Sequence, residues 1–268
     1  MSDRLLPLTG SSFGANPSFM DLMRQMAPEA LPTALLTAGA GAGLRDVTHG
    51  TTVLGLKYAD GVIMAGDRRA TAGYSIADAK MRKVFSADDF SAIAIAGAAG
   101  MALDMVKLFQ LELEHYEKLT GDRLSLEGKA NRLAQMIRAN FPLAMQGLVV
   151  VPLFGGFDLR RGEGRIFYYD VTGGRWEEDD YQTNGSGGQP AKNSLKKRWK
   201  PGSDRATAIR VSVEALMDAA EDDVATGGPD VARKIYPNVL AVTATGADDV
   251  PEEEVAAAVT SILEERVR

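Results

Sequence analysis

The fold is read from VTHGTTVLGLKYADGVIMAGDRR, Val47 to Arg69. Thr52–Tyr58 and Val62–Gly66 are rich in β-branched and aliphatic residues, and Ala59-Asp60-Gly61 between them has the composition of a hairpin turn. Two antiparallel strands are predicted. The preceding fifty residues differ in kind. Only seven of them are charged, and the segment is rich in Ala, Gly, Leu and Pro. Within it, Asn16-Pro17 suits a helix start, with Phe19, Met20, Leu22, Met23 and Met26 as the apolar face. Ala30 to Gly43 has the length of a signal-peptide core, but it follows Glu29 and lacks a basic lead-in, so secretion is the minor reading. Gly39–Gly43 (GAGAG) reads as a linker, because no strand precedes it. The confident fold begins at Thr51.

Downstream, Ser91–Gly97 is a short apolar strand, and Ala99–Leu119 is helical with Met101, Met105, Leu108 and Leu111 on one face. Ser125 caps a second helix to about Phe141. Leu148–Phe157 and Arg165–Val171 pair as strands, and a third strand leads into Thr183. Arg205–Ala220 is an amphipathic helix, Val239–Thr245 a buried strand, and Pro251 opens a last helix whose Glu252, Glu253 and Glu254 suit its N-terminal dipole. Strands and helices come in groups rather than in alternation, which argues for antiparallel sheets covered by helices, an α+β chain.

Composition narrows the chemistry. The chain has 268 residues, 45% hydrophobic and 25% charged, in the range of globular proteins. A net charge of −6 argues against a general nucleic-acid or anionic-membrane surface. There is no cysteine, which removes disulfides, thiolate catalysis and cysteine-zinc sites. The two histidines, His49 and His115, are poorly placed for a serine-histidine enzyme; His115 reads as a solvated helix residue beside Glu114 and Glu117. Glu177-Glu178-Asp179-Asp180 lacks calcium-loop spacing and reads as a solvated edge. The basic stretch Lys192–Lys200 reads as a subunit contact or solvated loop.

A neutral threonine hydroxyl is a poor nucleophile without a base. One base that Thr51 would carry itself is its own α-amine, with an ordinary pKa of about 7.7–8.0. That amine is free only if the Gly50–Thr51 bond is cut, so the leader masks it. Glycine at position 50 lets its carbonyl approach the Thr51 hydroxyl, and β-branching restricts the threonine rotamer. Alone, the pair Thr51-Thr52 reads better as an ordinary strand start, since such pairs are common. Asp67 ends an apolar strand, where an unpartnered carboxylate is costly, and Lys83 follows on the adjoining element. A buried lysine there would favour the alkoxide, with Asp67 holding it charged; the alternative is a surface ion pair of roughly 0–1 kcal/mol. Gly97 either presents its N–H to an oxyanion or simply opens a helix. Thr52 is read as strand only.

HGTTVLGLKYADGVIMAGDRRAT, the AIAGAAG strand end, NGSGG at Asn184–Gly188 and EDDVATGGPD at Glu221–Asp230 together resemble β-type subunits of the 20S proteasome, of the actinobacterial kind, over Thr51–Arg268. The resemblance implies a four-layer α/β/β/α sandwich of two antiparallel sheets, the N-terminal nucleophile hydrolase fold, with residues 1–50 a propeptide and residues 51–268 the catalytic domain. It implies a threonine endopeptidase with Thr51 as nucleophile, Asp67 and Lys83 as partners, Gly97 as oxyanion donor, and Ser186 and Asp223 orienting the amine and water. Thr226 stands where serine is usual in the family, and keeps the hydroxyl. Arg69 braces the site by ion pairing. Ala70, Met81, Ile95, Ala99 and Leu103 surround the pocket for the residue before the cut, which implies a preference for apolar residues. No cofactor or metal is implied. The expected partners are proteasome α-subunits and further β-subunits in a four-ring barrel of twenty-eight subunits, an ATPase ring, and substrates tagged with the prokaryotic ubiquitin-like protein, in the cytoplasm. Three rivals share parts of this pattern: a non-catalytic ring subunit, which would be expected to lack the Thr, Asp and Lys; an HslV-type peptidase, which typically has almost no leader; and a small-amide hydrolase of the same chemistry.

Overall fold

The computed structural model describes residues 50–73 and 75–267. The expected leader helix, the GAGAG linker and His49 lie outside the described residues.

Strand β1 (Thr52–Tyr58) and β2 (Gly61–Gly66) form the expected hairpin, with Tyr58 opposite Gly61. Every residue of β2 is buried although the strand is only moderately long. The reason is its position: β2 is central in a five-stranded sheet of order β10-β1-β2-β11-β12, with β10 at Tyr181–Gly185, β11 at Asn238–Thr243 and β12 at Gly246–Asp249. The second sheet has the order β5-β6-β7-β8-β9, from Val84–Asp88, Ser91–Ala94, Leu153–Asp158, Glu163–Tyr169 and Arg175–Glu178. All neighbours in both sheets run antiparallel. A short pair, β3 (Ala70–Ala72) with β4 (Ser75–Asp78), stands apart from both sheets.

Side-chain alternation builds three apolar layers. Val53, Val62, Met64, Leu153, Ile166 and Val242 meet between the sheets. Met64 fits there because residues 55 and 155 are glycines; a Cβ at either would stand within 2.8 Å of its sulfur. On the opposite face of the first sheet, Leu54, Leu56, Ile63 and Ala65 pack on helices α4 (Gly188–Arg198), α5 (Arg205–Asp222) and α6 (Glu252–Val267). On the far side of the second sheet, Ile93, Phe154 and Phe167 pack on α1 (Ala99–Thr120) and α2 (Leu126–Ala139), while α3 (Phe141–Ala144) is a single turn. Each fully buried aliphatic or aromatic side chain contributes about 1.5–3 kcal/mol. The result is the expected four-layer α/β/β/α sandwich. Ser125 caps α2 as read from the sequence, accepting from the Gly128 N–H.

Several expectations are corrected. Helix α1 turns Ala102, Met105, Val106, Phe109 and Leu113 inward, while Leu108 and Leu111 are 49% and 62% exposed. The helix carries two apolar stripes, and the one reaching Phe109 wins because it stacks edge-on against Phe154. The single strand expected before Thr183 is two strands in different sheets, since β9 pairs with β8 and β10 with β1. The stretch Lys192–Lys200 mostly lies in α4; Lys192 bonds Gln182, Arg198 pairs with Glu214 and Asp218, and Trp199 packs on Tyr181. The acidic run is only partly a solvated edge. Glu177 binds the buried Arg165, which also pairs with Asp158 and Glu127. His115 is exposed, as expected. Among the described residues no helix is long and apolar enough to cross a membrane.

Candidate active site

Thr51 precedes β1 and is 5% exposed. Its carbonyl accepts from the Ser186 N–H at 2.9 Å. That approach requires Gly185, whose φ is +97° and whose Cβ, if present, would stand 1.7 Å from the Thr51 carbonyl oxygen. The loop NGSGG is thus shaped to close on the start of β1.

Asp67 follows β2 where the ladder ends, and its carboxylate takes over the bonding of the backbone around it. Oδ1 accepts from the Thr52 N–H at 2.9 Å and from Lys83 Nζ at 2.5 Å; Oδ2 accepts from the Arg69 and Gly227 N–H groups, each at 2.8 Å. Lys83 stands just before β5, and its Nζ also donates to the Arg69 carbonyl at 2.5 Å. Both side chains are fully buried, so the surface ion pair is excluded. Gly66 lets the lysine stem pass, since a Cβ there would stand 3.1 Å from the Lys83 Cβ. Burial pushes the Lys83 ammonium below the usual lysine range, and the Asp67 charge and hydrogen bond oppose that push. The buried pair sits one residue from Thr51, because the same Asp67 oxygen holds both Lys83 and the Thr52 N–H.

A second group approaches from the end of α5. Asp223 terminates that helix and closes a turn by accepting from the Ala225 N–H. Its Oδ2 accepts from the hydroxyls of Ser186 and Thr226, both at 2.6 Å. Burial pushes the Asp223 carboxyl upward, but these hydroxyls, the Ala225 N–H and the Lys83 charge outweigh it and hold it below the usual aspartate range.

The structure therefore brings these residues around the Thr51-Thr52 pair: Ser186 bonds Thr51, Asp67 and Thr226 bond Thr52, and Lys83 and Asp223 are held by those two. Gly97 is joined less directly. Lys83 accepts the Ile95 N–H, and Gly97 lies two residues on, at a φ of +115°. It bridges Val150, but the flanking bonds are donated by Ala98 and Val151, so the pairing leaves the Gly97 N–H unused. Arg69 braces the site otherwise than expected: among the described residues its guanidinium donates to the Val224 carbonyl rather than to a carboxylate. Of the expected pocket residues, Ile95 is buried in the apolar layer that α1 covers, Met81 and Leu103 (on α1 itself) are packed against that layer, and Ala99 opens the helix. Ala70 is buried on β3, apart from that layer.

Two features escaped the sequence reading. Thr52 is not only strand: its hydroxyl is fully buried, 2.6 Å from the Thr226 hydroxyl, and accepts from the Gly187 N–H at 2.9 Å. The signal was available, since Thr52 is in phase with Leu54, Leu56 and Tyr58, and a hydroxyl on a buried face needs a partner. Thr71 accepts the Gly50 N–H at 3.0 Å. It belongs to the motif ending in RRAT, but nothing local marks it out.

A family model described as proteasome subunit matches residues 47–233. The chain is 51% identical to the proteasome subunit beta of Acidimicrobium ferrooxidans, over 97% of this chain and 95% of that one. It is 51% identical to the protein of that name from Frankia casuarinae, over 93% and 90% of the two chains. For the one from Streptomyces griseus subsp. griseus the identity is 52%, over 93% and 89%. With the two-sheet sandwich and the enclosed threonine site already described, these matches establish that the chain belongs to the proteasome subunit family, as a β-type subunit.

Proposed function

We propose that this subunit is a threonine endopeptidase of a proteasome core, released from a precursor by its own cleavage between Gly50 and Thr51. The observation that carries the reading is the fully buried Lys83–Asp67 pair, held on the same carboxylate oxygen as the residue following Thr51. An ammonium has three donors. Two are taken by Asp67 and the Arg69 carbonyl, which leaves one for the Thr51 hydroxyl.

In maturation, the Thr51 Oγ attacks the Gly50 carbonyl carbon, the Gly50–Thr51 C–N bond breaks, and the nitrogen takes a proton. Water then hydrolyses the resulting ester, giving a Gly50 carboxylate and a free Thr51 α-amine. In turnover, that amine accepts the hydroxyl proton as Oγ attacks a substrate carbonyl. The Gly97 N–H faces the developing oxyanion. The leaving amine takes the proton, and water releases the acyl group. Ser186, Asp223 and Thr226 fix the amine and the water. No metal or organic cofactor enters these steps. Met81, Ile95 and Leu103 favour apolar residues before the cut.

Assembly with α-subunits and further β-subunits into four stacked seven-membered rings would enclose the site, which keeps folded proteins from a broadly specific protease. An ATPase ring and tagged substrates would feed it. The test is labelling of assembled particles with a hydroxyl-directed electrophilic peptide. A mass adduct on an N-terminal Thr51 peptide is expected, and an adduct on any other residue overturns the assignment.

A further inference from the structure

Thr52 joins the two halves of the site. Its N–H is bound to the Asp67 oxygen that also holds Lys83, and its hydroxyl is bound to the group around Asp223. The direction of that second link follows from counting protons. The Gly187 amide only donates, so Thr52 Oγ1 accepts from it. A carboxylate only accepts, so Thr226 spends its single hydroxyl proton on Asp223 Oδ2. The 2.6 Å contact between the two threonine hydroxyls must then be donated by Thr52. One continuous chain results: Gly187 N–H to Thr52 Oγ1, Thr52 O–H to Thr226 Oγ1, Thr226 O–H to Asp223 Oδ2, with the Ser186 hydroxyl donating to the same carboxylate oxygen.

Three residues of this chain admit little substitution. A Cβ at Gly187 would stand 2.5 Å from both threonine hydroxyl oxygens and 3.2 Å from Asp223 Oδ2, so the loop is closed down on the chain. Thr52 and Thr226 are fully buried, so a hydroxyl removed from either leaves its partner without that bond in a dry surrounding.

We infer that Thr52 is a positioning residue of the proteolytic site, whose hydroxyl orients Thr226 and the Ser186–Gly187 loop and, through its own N–H, ties their position to that of the Asp67–Lys83 pair. Thr52 does not touch the scissile bond. It acts through Thr226, Ser186 and Asp223, so its loss slows the chemical step while leaving the substrate pocket, built from other residues, unchanged. The inference rests on the threonine-protease reading.

The experiment compares particles, assembled with their α-subunits, that carry wild-type, Thr52→Ser or Thr52→Val subunits. Intact mass first establishes that each begins at Thr51. Hydrolysis of a fluorogenic peptide with an apolar residue before the cut is then measured. Thr52→Val is expected to lower kcat about tenfold with KM changed less than about twofold, as misplacement rather than lost binding does. Thr52→Ser, which keeps the hydroxyl, is expected to stay within about twofold of wild type. If Thr52→Val does not assemble, Thr52→Ala removes the hydroxyl without added bulk and carries the same expectations. Wild-type kcat in the hydroxyl-free variant, or equal damage in the serine variant, overturns the inference and leaves the protease reading intact. A wild-type particle that hydrolyses no peptide overturns the protease reading itself.

Discussion

A Cβ placed on Gly50 would stand 1.8 Å from the Cβ of Ala225, and 2.9 Å from its Cα. Position 50 is closed to every side chain by the loop that follows Asp223, a steric reason added to the conformational one read from the sequence. Gly50→Ala and Gly50→Val are therefore expected to push the Gly50–Thr51 bond out of place and leave precursor at full mass. Electrophoresis after assembly checks this; normal maturation of Gly50→Val would show that the Ala225 contact does not govern cleavage.

Replacing Lys83 by Met removes the only side-chain donor to Asp67 among the described residues and keeps its three N–H bonds from Thr52, Arg69 and Gly227. Peptide hydrolysis is expected to fall about a thousandfold through loss of proton transfer. Stability falls by less than about 3 kcal/mol, because the carboxylate remains solvated by those amides. Burial holds the Lys83 value low in the folded chain. Charging it there opposes folding below the folded value, and that cost fades as pH rises toward the ordinary lysine value of 10.5. Lys83→Met is thus expected to lose less stability at low pH than at high pH, read by denaturant titration across pH.

Arg165 is 2% exposed on its side chain and binds Asp158, Glu127 and Glu177. Glu177 is held below the usual range chiefly by the Arg165 hydrogen bonds. For Asp158 and Glu127, burial pushes upward but is outweighed by Arg165, with further bonds from the Arg160 and Arg161 amides and from Arg175. Lowered carboxylates stabilise fully above their ordinary values of 3.8 and 4.5, and that stability is lost as pH falls through the lower folded values. Acid unfolding is expected to set in below about pH 4.5. Arg165→Leu should be about 2 kcal/mol less stable near neutrality, a figure discounted because Glu127 and Glu177 are partly exposed, and should show a flatter stability profile between about pH 5 and 3. A profile parallel to wild type would contradict this assignment.

Leu103, on α1, is partly buried against the apolar cluster that holds Ile95, as is Met81. Leu103→Glu places a carboxylate among them, and the ratio of kcat/KM for an apolar over a basic residue before the cut is expected to fall by more than about tenfold. An unchanged ratio would remove Leu103 from the pocket.

Much of the architecture was legible because it is local. The β1–β2 hairpin declares itself by period two and a turn, and the Ser125 cap and the Pro251 helix start follow from side-chain chemistry. The inward face of α1 was not legible: two apolar stripes compete on that helix, and residues distant in sequence, Phe154 and Phe167 among them, decide between them. Helix α4 escaped because its basic residues find partners on β10 and α5. At the site, Asp67 was marked by its charge at the end of an apolar strand, with Lys83 on the adjoining element. Thr52 was passed over because a threonine opening a strand looks ordinary until the loop from Gly185 to Gly187 and the turn after Asp223 close over it.

The central claim is that Thr51 frees its own amine. Intact mass of the subunit recovered from assembled particles tests it most directly, for wild type and for Thr51→Ala. A wild-type chain beginning at Thr51 and a Thr51→Ala chain retaining the leader through Gly50 are the expected results; a Thr51→Ala chain cut at the same bond would contradict self-cleavage.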